Sequence, residues 1–571
     1  MVTAVLAACG GGDGQDASDQ VISISVEGRS ASQGFNVSAA EVVAHDATAG
    51  RIFTVNAQSG KVDVFAAASA AQFASISAPQ QSIDLAAMLV ANSVVGSTGL
   101  VGAANSVSVY GNVVAVAVEA NPKTDNGWVV FLNATTLAFQ RAVQVGALPD
   151  MLVFTPDGTK VLVANEGEPN VGYTIDPEGS VSVIRLSDYS VSTIGFSDFN
   201  VGGSRNSELP SAKMLIAGVG VGGGATVAKD LEPEYIAIRP DGLEAYVTLQ
   251  EANAIAVLNL VNNTVTKIIG MGFKDHTIPG NEFDASQQDG VNLKTWPVLG
   301  AYMPDSIAAY TVAGRTFLVT ANEGDSREDW LNGLTDQASC EAAGYYFSSS
   351  KCRDELALRD VATTAPAAFI AKLTLSTELD ALKTDTTLGR LKFSYHATNA
   401  KNTGSTFTRL YAYGARSFSI WDAQTGERVY DSGSDFERHT ANRYGSLFNQ
   451  DHNGSLTGDK RSNSKGPEPE GLAIGEINGR TYAFVGLERM GGVMVYDITN
   501  PNAPTFQQYL NNRDVTVAPN AAAVTAGSDL GPEALAFVGG SKSPDGVPRL
   551  IVGNEVSGTT TVYKINVQTV R

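Results

Sequence analysis

Hydrophobic and polar residues alternate in short runs along most of the chain, and Pro, Gly, Asn and Asp punctuate the runs. Alternation with period two, bounded by turn formers, predicts half-buried β-strands. One phrase recurs: a Pro and an acid, a strand, a turn, a second strand and a second acid. It is clearest from Pro149-Asp150 through Pro156-Asp157-Gly158 to Asn165-Glu166, and again from Pro233-Glu234 through Pro240-Asp241-Gly242 to Glu251. Pro-Asp-Gly suits a hairpin turn because Pro presets φ and Gly accepts positive φ. Looser copies run from Pro304-Asp305 to Asn322-Glu323, from Pro469-Glu470 to Glu488, and from Pro532-Glu533 to Asn554-Glu555. Weaker copies begin near Glu41 and Asn105 and end at Asn56 and Glu119; a degenerate one runs through 410–422.

A third β-rich run follows each hairpin, as at 179–186 and 254–260, and often a fourth, as at 264–269. Units of about 40 to 45 residues with three or four strands predict an all-β fold, a β-propeller of seven or eight blades. The strand 21–26 is expected to complete the last blade, closing the ring and hiding a sheet edge. Four polar stretches, 200–227, 272–299, 324–365 and 432–466, are too long for ordinary connections and predict loop insertions on the ring. A length of 571 residues, which alone would fit three or four domains, is then read as a single ring domain over 21–571.

Composition agrees with this pattern. Charged residues are 17% and Gly numbers 58, which fits turns and loops and argues against a coiled coil. With 39 Lys and Arg against 59 Asp and Glu, the formal charge is −20. A nucleic-acid backbone or an anionic lipid surface would be repelled, so no nucleic-acid partner is expected; cations would be attracted.

Residues 1–20 read as a truncated lipoprotein signal and tether. Leu6-Ala7-Ala8 precede Cys9, the expected lipidation site, and a polar stretch follows. Membrane contact is expected only through that lipid, at a bacterial outer membrane, periplasm or cell surface. Cys340 and Cys352 bracket a short Gly- and Tyr-containing loop, and a disulfide between them fits an oxidising compartment.

In a propeller blade the start of strand one and the end of strand two lie on the same face, so the recurring acids come together. The pairs are Asp150 with Glu166, Glu234 with Glu251, Asp305 with Glu323, Glu470 with Glu488, and Glu533 with Glu555; Glu41 with Asn56 and Asn105 with Glu119 are softened versions. About ten carboxylates at one channel mouth repel by several kcal/mol unless cations or protons intervene. A divalent cation, calcium first and magnesium, manganese or iron as alternatives, would answer that repulsion. The competing reading is structural, with each acid accepting backbone N–H groups and locking blade to blade. Arg327 and Arg489 follow strand-two acids and offer counter-charge. Two oxygen-rich segments, Asp284 to Gly290 and Asn449 to Gly454, each resemble part of a calcium loop but lack its closing Glu. The five histidines show no zinc spacing, and no nucleophile motif stands out.

The phrases at 148–158, 163–170, 231–237, 320–327 and 466–472 resemble the choice-of-anchor I family of exported β-propellers. That family is similar to mesenchyme-specific cell-surface glycoproteins and has alkaline-phosphatase-labelled relatives. The resemblance implies an exported or surface-anchored propeller; with the Cys9 stretch and the acid pairs, the expectation is a lipid-anchored, monomeric scaffold at the surface or in the periplasm that binds divalent cations and a surface polymer or other partner. Its alternative implication is a metal-dependent phosphoesterase of alkaline phosphatase or phytase type. There the acids would hold the metal, Glu470 would sit at the reacting centre, and Arg327 or Arg489 would stabilise phosphoryl charge.

Overall fold

A computed structural model describes residues 20–215, 225–326, 331, 333–342, 345–348, 350–353, 355–362, 374–395, 397–398 and 406–569. Among these residues, seven four-stranded antiparallel sheets follow one another along the chain. The first comprises Val43–Asp46, Arg51–Asn56, Lys61–Ala66 and Gln81–Asp84, and the second Val101–Tyr110, Val113–Ala120, Asn126–Asn133 and Phe139–Ala147. The third comprises Pro149–Phe154, Lys160–Asn165, Ser180–Arg185 and Val191–Gly195, and the fourth Pro233–Ile238, Glu244–Leu249, Ala254–Asn259 and Thr264–Gly270. The fifth is built from Ile307–Val312, Arg315–Asn322, Ser417–Asp422 and Arg428–Asp431, and the sixth from Pro469–Ile477, Arg480–Leu487, Val493–Asp497 and Thr505–Leu510. In the seventh, Pro532–Val538, Arg549–Asn554 and Thr559–Thr569 are joined by the N-terminal strand Gln20–Arg29, as the sequence predicts.

The sheets are separate hydrogen-bonded units, but their first strands pack in cyclic order, and the seventh lies against the first. The arrangement is propeller-like. Second strands read as near-continuous apolar runs because both of their faces are covered. Val161, Leu162, Val163 and Ala164 are fully buried, with the odd and even positions in different hydrophobic clusters shared with neighbouring sheets. At about 25 cal/mol per Å2 of apolar surface, this inter-sheet burial is the main force holding the arrangement together.

The degenerate repeat at 410–422 is not a unit of its own. Ser417–Asp422 is the third strand of the fifth sheet, paired with Arg315–Asn322. Leu410–Ala412 instead pairs in parallel with Val298–Ala301. The whole 323–416 stretch is inserted between the second and third strands of one sheet, which is why the repeat phrase breaks there.

The insertions are also more ordered than polar loops. Phe283, Trp296 and Val298 share a buried cluster with Leu356, Leu358, Leu379, Leu391, Phe393 and Leu410, so segments far apart in sequence form a common core. Asp435–Tyr444 is a helix whose Phe436 packs against the fifth and sixth sheets. Cys340 and Cys352 are disulfide-bonded, as expected.

Candidate functional site

The backbone places the recurring acids by a repeated local device. Leu148, Met303, Glu468 and Gly531 adopt positive φ, between 46° and 67°, each two residues ahead of Asp150, Asp305, Glu470 and Glu533. A left-handed residue reverses the chain at that point, at about 1 kcal/mol or more for the three that are not glycine. In three of the four the carbonyl it exposes accepts the N–H of the strand-two acid, Leu148 O from Glu166 at 2.9 Å, Glu468 O from Glu488 at 2.8 Å and Gly531 O from Glu555 at 2.7 Å, whereas Met303 O accepts from Gly324 at 3.3 Å. Pairing register then slips by one residue across Pro149/Leu152, Pro233/Ile236, Pro469/Leu472 and Pro532/Leu535. Such a bulge re-aims the side chains within it, here Asp150, Glu234, Glu470 and Glu533.

The Asn of each Asn-Glu pair does a different job from the Glu. The amide of Asn165 donates to Ser182 Oγ at 2.9 Å, that of Asn322 to Ser419 Oγ at 2.8 Å, and that of Asn554 to the Thr559 carbonyl at 3.1 Å. Asn therefore ties strand two to strand three.

The first strands of six sheets, with Asp305 and Ser306 just ahead of the fifth sheet's first strand, line a cavity of about 600 Å3. Its walls carry Glu41, Asp150, Glu166, Glu234, Asp305, Glu323, Asp325, Glu470, Glu488 and Glu533, against Lys465 and Arg489 as cations. Glu251 and Glu555 stand behind this wall. Glu251 lies within 4.8 Å of Glu166 and Glu234, measured between carboxylate oxygens, and Glu555 accepts from Ser38 Oγ at 2.7 Å. Asn105 donates to Glu119 Oε1 at 3.0 Å and to the Pro149 carbonyl, so in the second sheet an amide replaces the acid and bridges to the third.

The cations lie to one side. Lys465 Nζ bonds Glu323 Oε1 at 2.8 Å and lies 3.1 Å from Asp325 and 3.3 Å from Glu468. Arg489 Nε is 3.0 Å from both Glu468 and Glu488, and its Nη1 meets His452 Nε2 at 2.5 Å. Fully buried Glu468 is also paired with Arg461, and these three cations outweigh its burial and hold its carboxyl far below the usual range. Burial and the Arg489 charge push His452 down to about 3, so it stays neutral.

At the third and fourth sheets, Glu166 and Glu234 take part in no ion pair among the described residues, although Lys123, paired with Glu168, lies near enough to interact with Glu166; Glu234 Oε2 has no hydrogen-bond partner. Burial, and then neighbouring carboxylates, push Glu41, Glu166, Glu234, Asp305, Glu470 and Glu533 well above the carboxylate range. Asp150 is pushed up to about 7 by burial, then by Glu119 and Glu168. Two triads bring carboxylate oxygens within 4.8 Å of one another beside the cavity: Glu166, Glu234 and Glu251, and Asp305, Glu323 and Glu470. A third, Glu323, Glu468 and Glu488, is already compensated by Lys465, Arg461 and Arg489.

The sequence expectation thus brings most of its acids to one cavity and places Arg489 there, whereas Arg327 and Cys9 lie outside the described residues. Lys465, Glu468, Gln250 and Asp325 were not singled out. Glu468 was legible in the doubled Pro467-Glu468-Pro469-Glu470 phrase. Lys465 comes from an insertion with no repeat to align it.

Cyclically packed four-stranded sheets around an acid-lined cavity define a propeller-like all-β protein. The family is also shown: the choice-of-anchor I domain matches residues 41–501, and the chain belongs to that family. It is similar to Gigasin-3a of Magallana gigas, at 31% identity over 195 residues, covering 33% of this chain and 68% of that protein. It is also similar to the Mesenchyme-specific cell surface glycoprotein of Strongylocentrotus purpuratus, at 28% over 355 residues, covering 58% of this chain and 44% of that protein. The chain therefore spans less than half of that glycoprotein. Among solved structures, Kuenenia stuttgartiensis hydrazine synthase aligns over 92% of this chain and 96% of its own at 12% identity, with a TM-score of 0.42, a likeness too low to carry an argument.

Proposed function

We propose that this protein is a surface-located, monomeric, seven-bladed propeller that holds divalent cations, calcium first, in its acidic channel and works as a binding scaffold. The carrying observation is the Glu166, Glu234 and Glu251 triad, whose carboxylate oxygens lie within 4.8 Å of one another, with Glu234 Oε2 left without a hydrogen-bond partner among the described residues. Buried carboxylates in that state must take up protons or a metal ion. An all-oxygen donor set of irregular geometry suits calcium better than magnesium, which demands near-octahedral ligation, or iron, for which nitrogen donors are common. The Asp305, Glu323 and Glu470 triad is the second candidate, weakened by Lys465 on Glu323. Surface location is supported by family membership and by similarity to a cell-surface glycoprotein. Anchoring through a lipid on Cys9 rests on the sequence around it.

No observation favours the phosphoesterase reading. The Arg489 guanidinium is engaged by Glu468 and Glu488 and is not free for a phosphoryl group. Thermal denaturation in calcium against chelator tests the cation. A site filled to 100 times its Kd adds about 2.7 kcal/mol, and Glu234→Gln should abolish most of that gain. An unchanged midpoint in millimolar calcium would rule the cation out.

A further inference from the structure

The oxygen-rich segment Asp284 to Gly290, incomplete as a calcium loop, meets an acid of a second insertion in the folded protein, outside the residues that line the channel cavity. Asp284 and Asp289 belong to the insertion after the fourth sheet and Asp459 to the insertion before the sixth, yet one carboxylate oxygen from each lies within 4.8 Å of the other two. A span of 4.8 Å is about twice a calcium–oxygen distance of ~2.4 Å, so all three can touch one ion. Asp284 is fully buried, Asp459 is 6% exposed, and Asp289 is half-buried.

Their hydrogen bonds leave the site electrically open. Asp284 accepts the N–H groups of Ser286 at 3.1 Å and Asn292 at 2.7 Å, and Asp459 Oδ1 accepts from Ser462 Oγ at 2.5 Å. Asp289 Oδ2 accepts from the Asn292 amide. Asp459 Oδ2 and Asp289 Oδ1 have no hydrogen-bond partner, although both atoms are buried. No Lys or Arg among the described residues pairs with any of the three carboxylates. Nearby Arg416 is taken up by Glu437 and by the backbone carbonyls of Asp284, Ser462 and Ser464. Asp459, 6% exposed, thus brings a buried oxygen with no hydrogen-bond partner to a cluster shared with two other carboxylates. Burial first, and then Glu437, pushes Asp284 up to about 8; burial and then Asp289, with Glu437, pushes Asp459 up to about 7.

We propose that Asp284, Asp289 and Asp459 form a calcium site that fastens the 272–299 insertion to the 432–466 insertion. The 284–290 segment has two spaced aspartates and no closing acid, and the 432–466 insertion provides one through Asp459, five residues beyond its own Asn449 to Gly454 segment. The site is independent of the channel acids.

The test is calcium titration by calorimetry on the full chain, paired with hydrogen–deuterium exchange of the peptides covering 284–292 and 449–462. Wild type, Asp289→Asn, Asp459→Asn and the channel variant Glu234→Gln are compared, with circular dichroism as the folding control. Asp289→Asn, at a half-buried position, keeps the test valid even where Asp459→Asn folds poorly. Calcium is expected to slow exchange in both peptides of wild type and of Glu234→Gln. Asp289→Asn should lose one binding equivalent, or weaken it at least about tenfold, and lose that protection. Exchange in these peptides that ignores calcium in wild type, or folded Asp289→Asn that binds and is protected as wild type is, would overturn the proposal.

Discussion

Asp150 offers a measure of what it costs to hold a carboxylate in the channel wall, where burial outweighs repulsion from its neighbours. Its carboxyl is raised from 3.8 to about 7 by burial, then by Glu119 and Glu168. A group whose folded pKa lies above its unfolded value contributes stability that is fully present below about 3.8 and is lost as pH rises toward 7. Above pH 7 the folded state carries the whole penalty. A shift of about three units at 1.36 kcal/mol each is of the order of 4 kcal/mol, and water in the channel screens a half-buried carboxylate, leaving roughly 2 to 4 kcal/mol. Asp150→Asn keeps the shape and removes the charge. In chelator at pH 8 it should stabilise the protein by that amount. An unfolding entropy of about 2.1 cal/mol/K per residue, summed over the chain, converts this to about 2 to 3 °C in Tm. At pH 4 the difference should shrink to near zero. In calcium at pH 8 it should shrink again if the proposed channel cation binds, because a positive charge in the same cavity favours the ionised form of Asp150. Differential scanning calorimetry at the two pH values, with chelator and with calcium, reads all of this. A variant no more stable than wild type at pH 8 in chelator, or equally stabilised at both pH values, would refute the electrostatic account.

Other substitutions test the scaffold around the site. Arg416→Met strands buried Glu437, which lies 2.7 Å from the guanidinium, and should cost about 3 to 5 kcal/mol, seen as faster hydrogen exchange in 284–292 and 449–464; Arg416→Met with Glu437→Met should recover part of the loss. Asn322→Ala leaves the Ser417 and Ser419 hydroxyls without their amide donor and should cost about 1 to 3 kcal/mol in chemical denaturation. Cys340→Ser with Cys352→Ser opens a loop closed at a separation of 12 residues, for which chain entropy predicts about 3 kcal/mol, local to the insertion and read by limited proteolysis. Gly471→Ala would put a Cβ 2.0 Å from the Glu533 carbonyl oxygen, so the sixth and seventh sheets must separate; a lowered midpoint together with weaker calcium binding is expected.

Local chemistry made much of this protein legible in one dimension. Strand alternation, the Pro-Asp-Gly turns at 156–158 and 240–242, and the acid at each end of the phrase are short-range signals, so they mark the sheets, the N-terminal strand of the seventh sheet and most of the channel acids. The same locality explains the failure at 410–422, where an inserted stretch separates the second strand of the fifth sheet from its third. Three features belong to the tertiary structure alone. Lys465 and Glu468 approach Glu323 and Arg489 only because an insertion folds back over the channel, and this is what compensates the Glu323, Glu468 and Glu488 triad. Asn and Glu in one dipeptide take different roles because the side chains of adjacent strand residues point to opposite faces. The Asp284, Asp289 and Asp459 cluster joins residues that are neighbours only after two insertions dock, because electrostatic repulsion and metal affinity depend on separation in space and sequence records only separation along the chain.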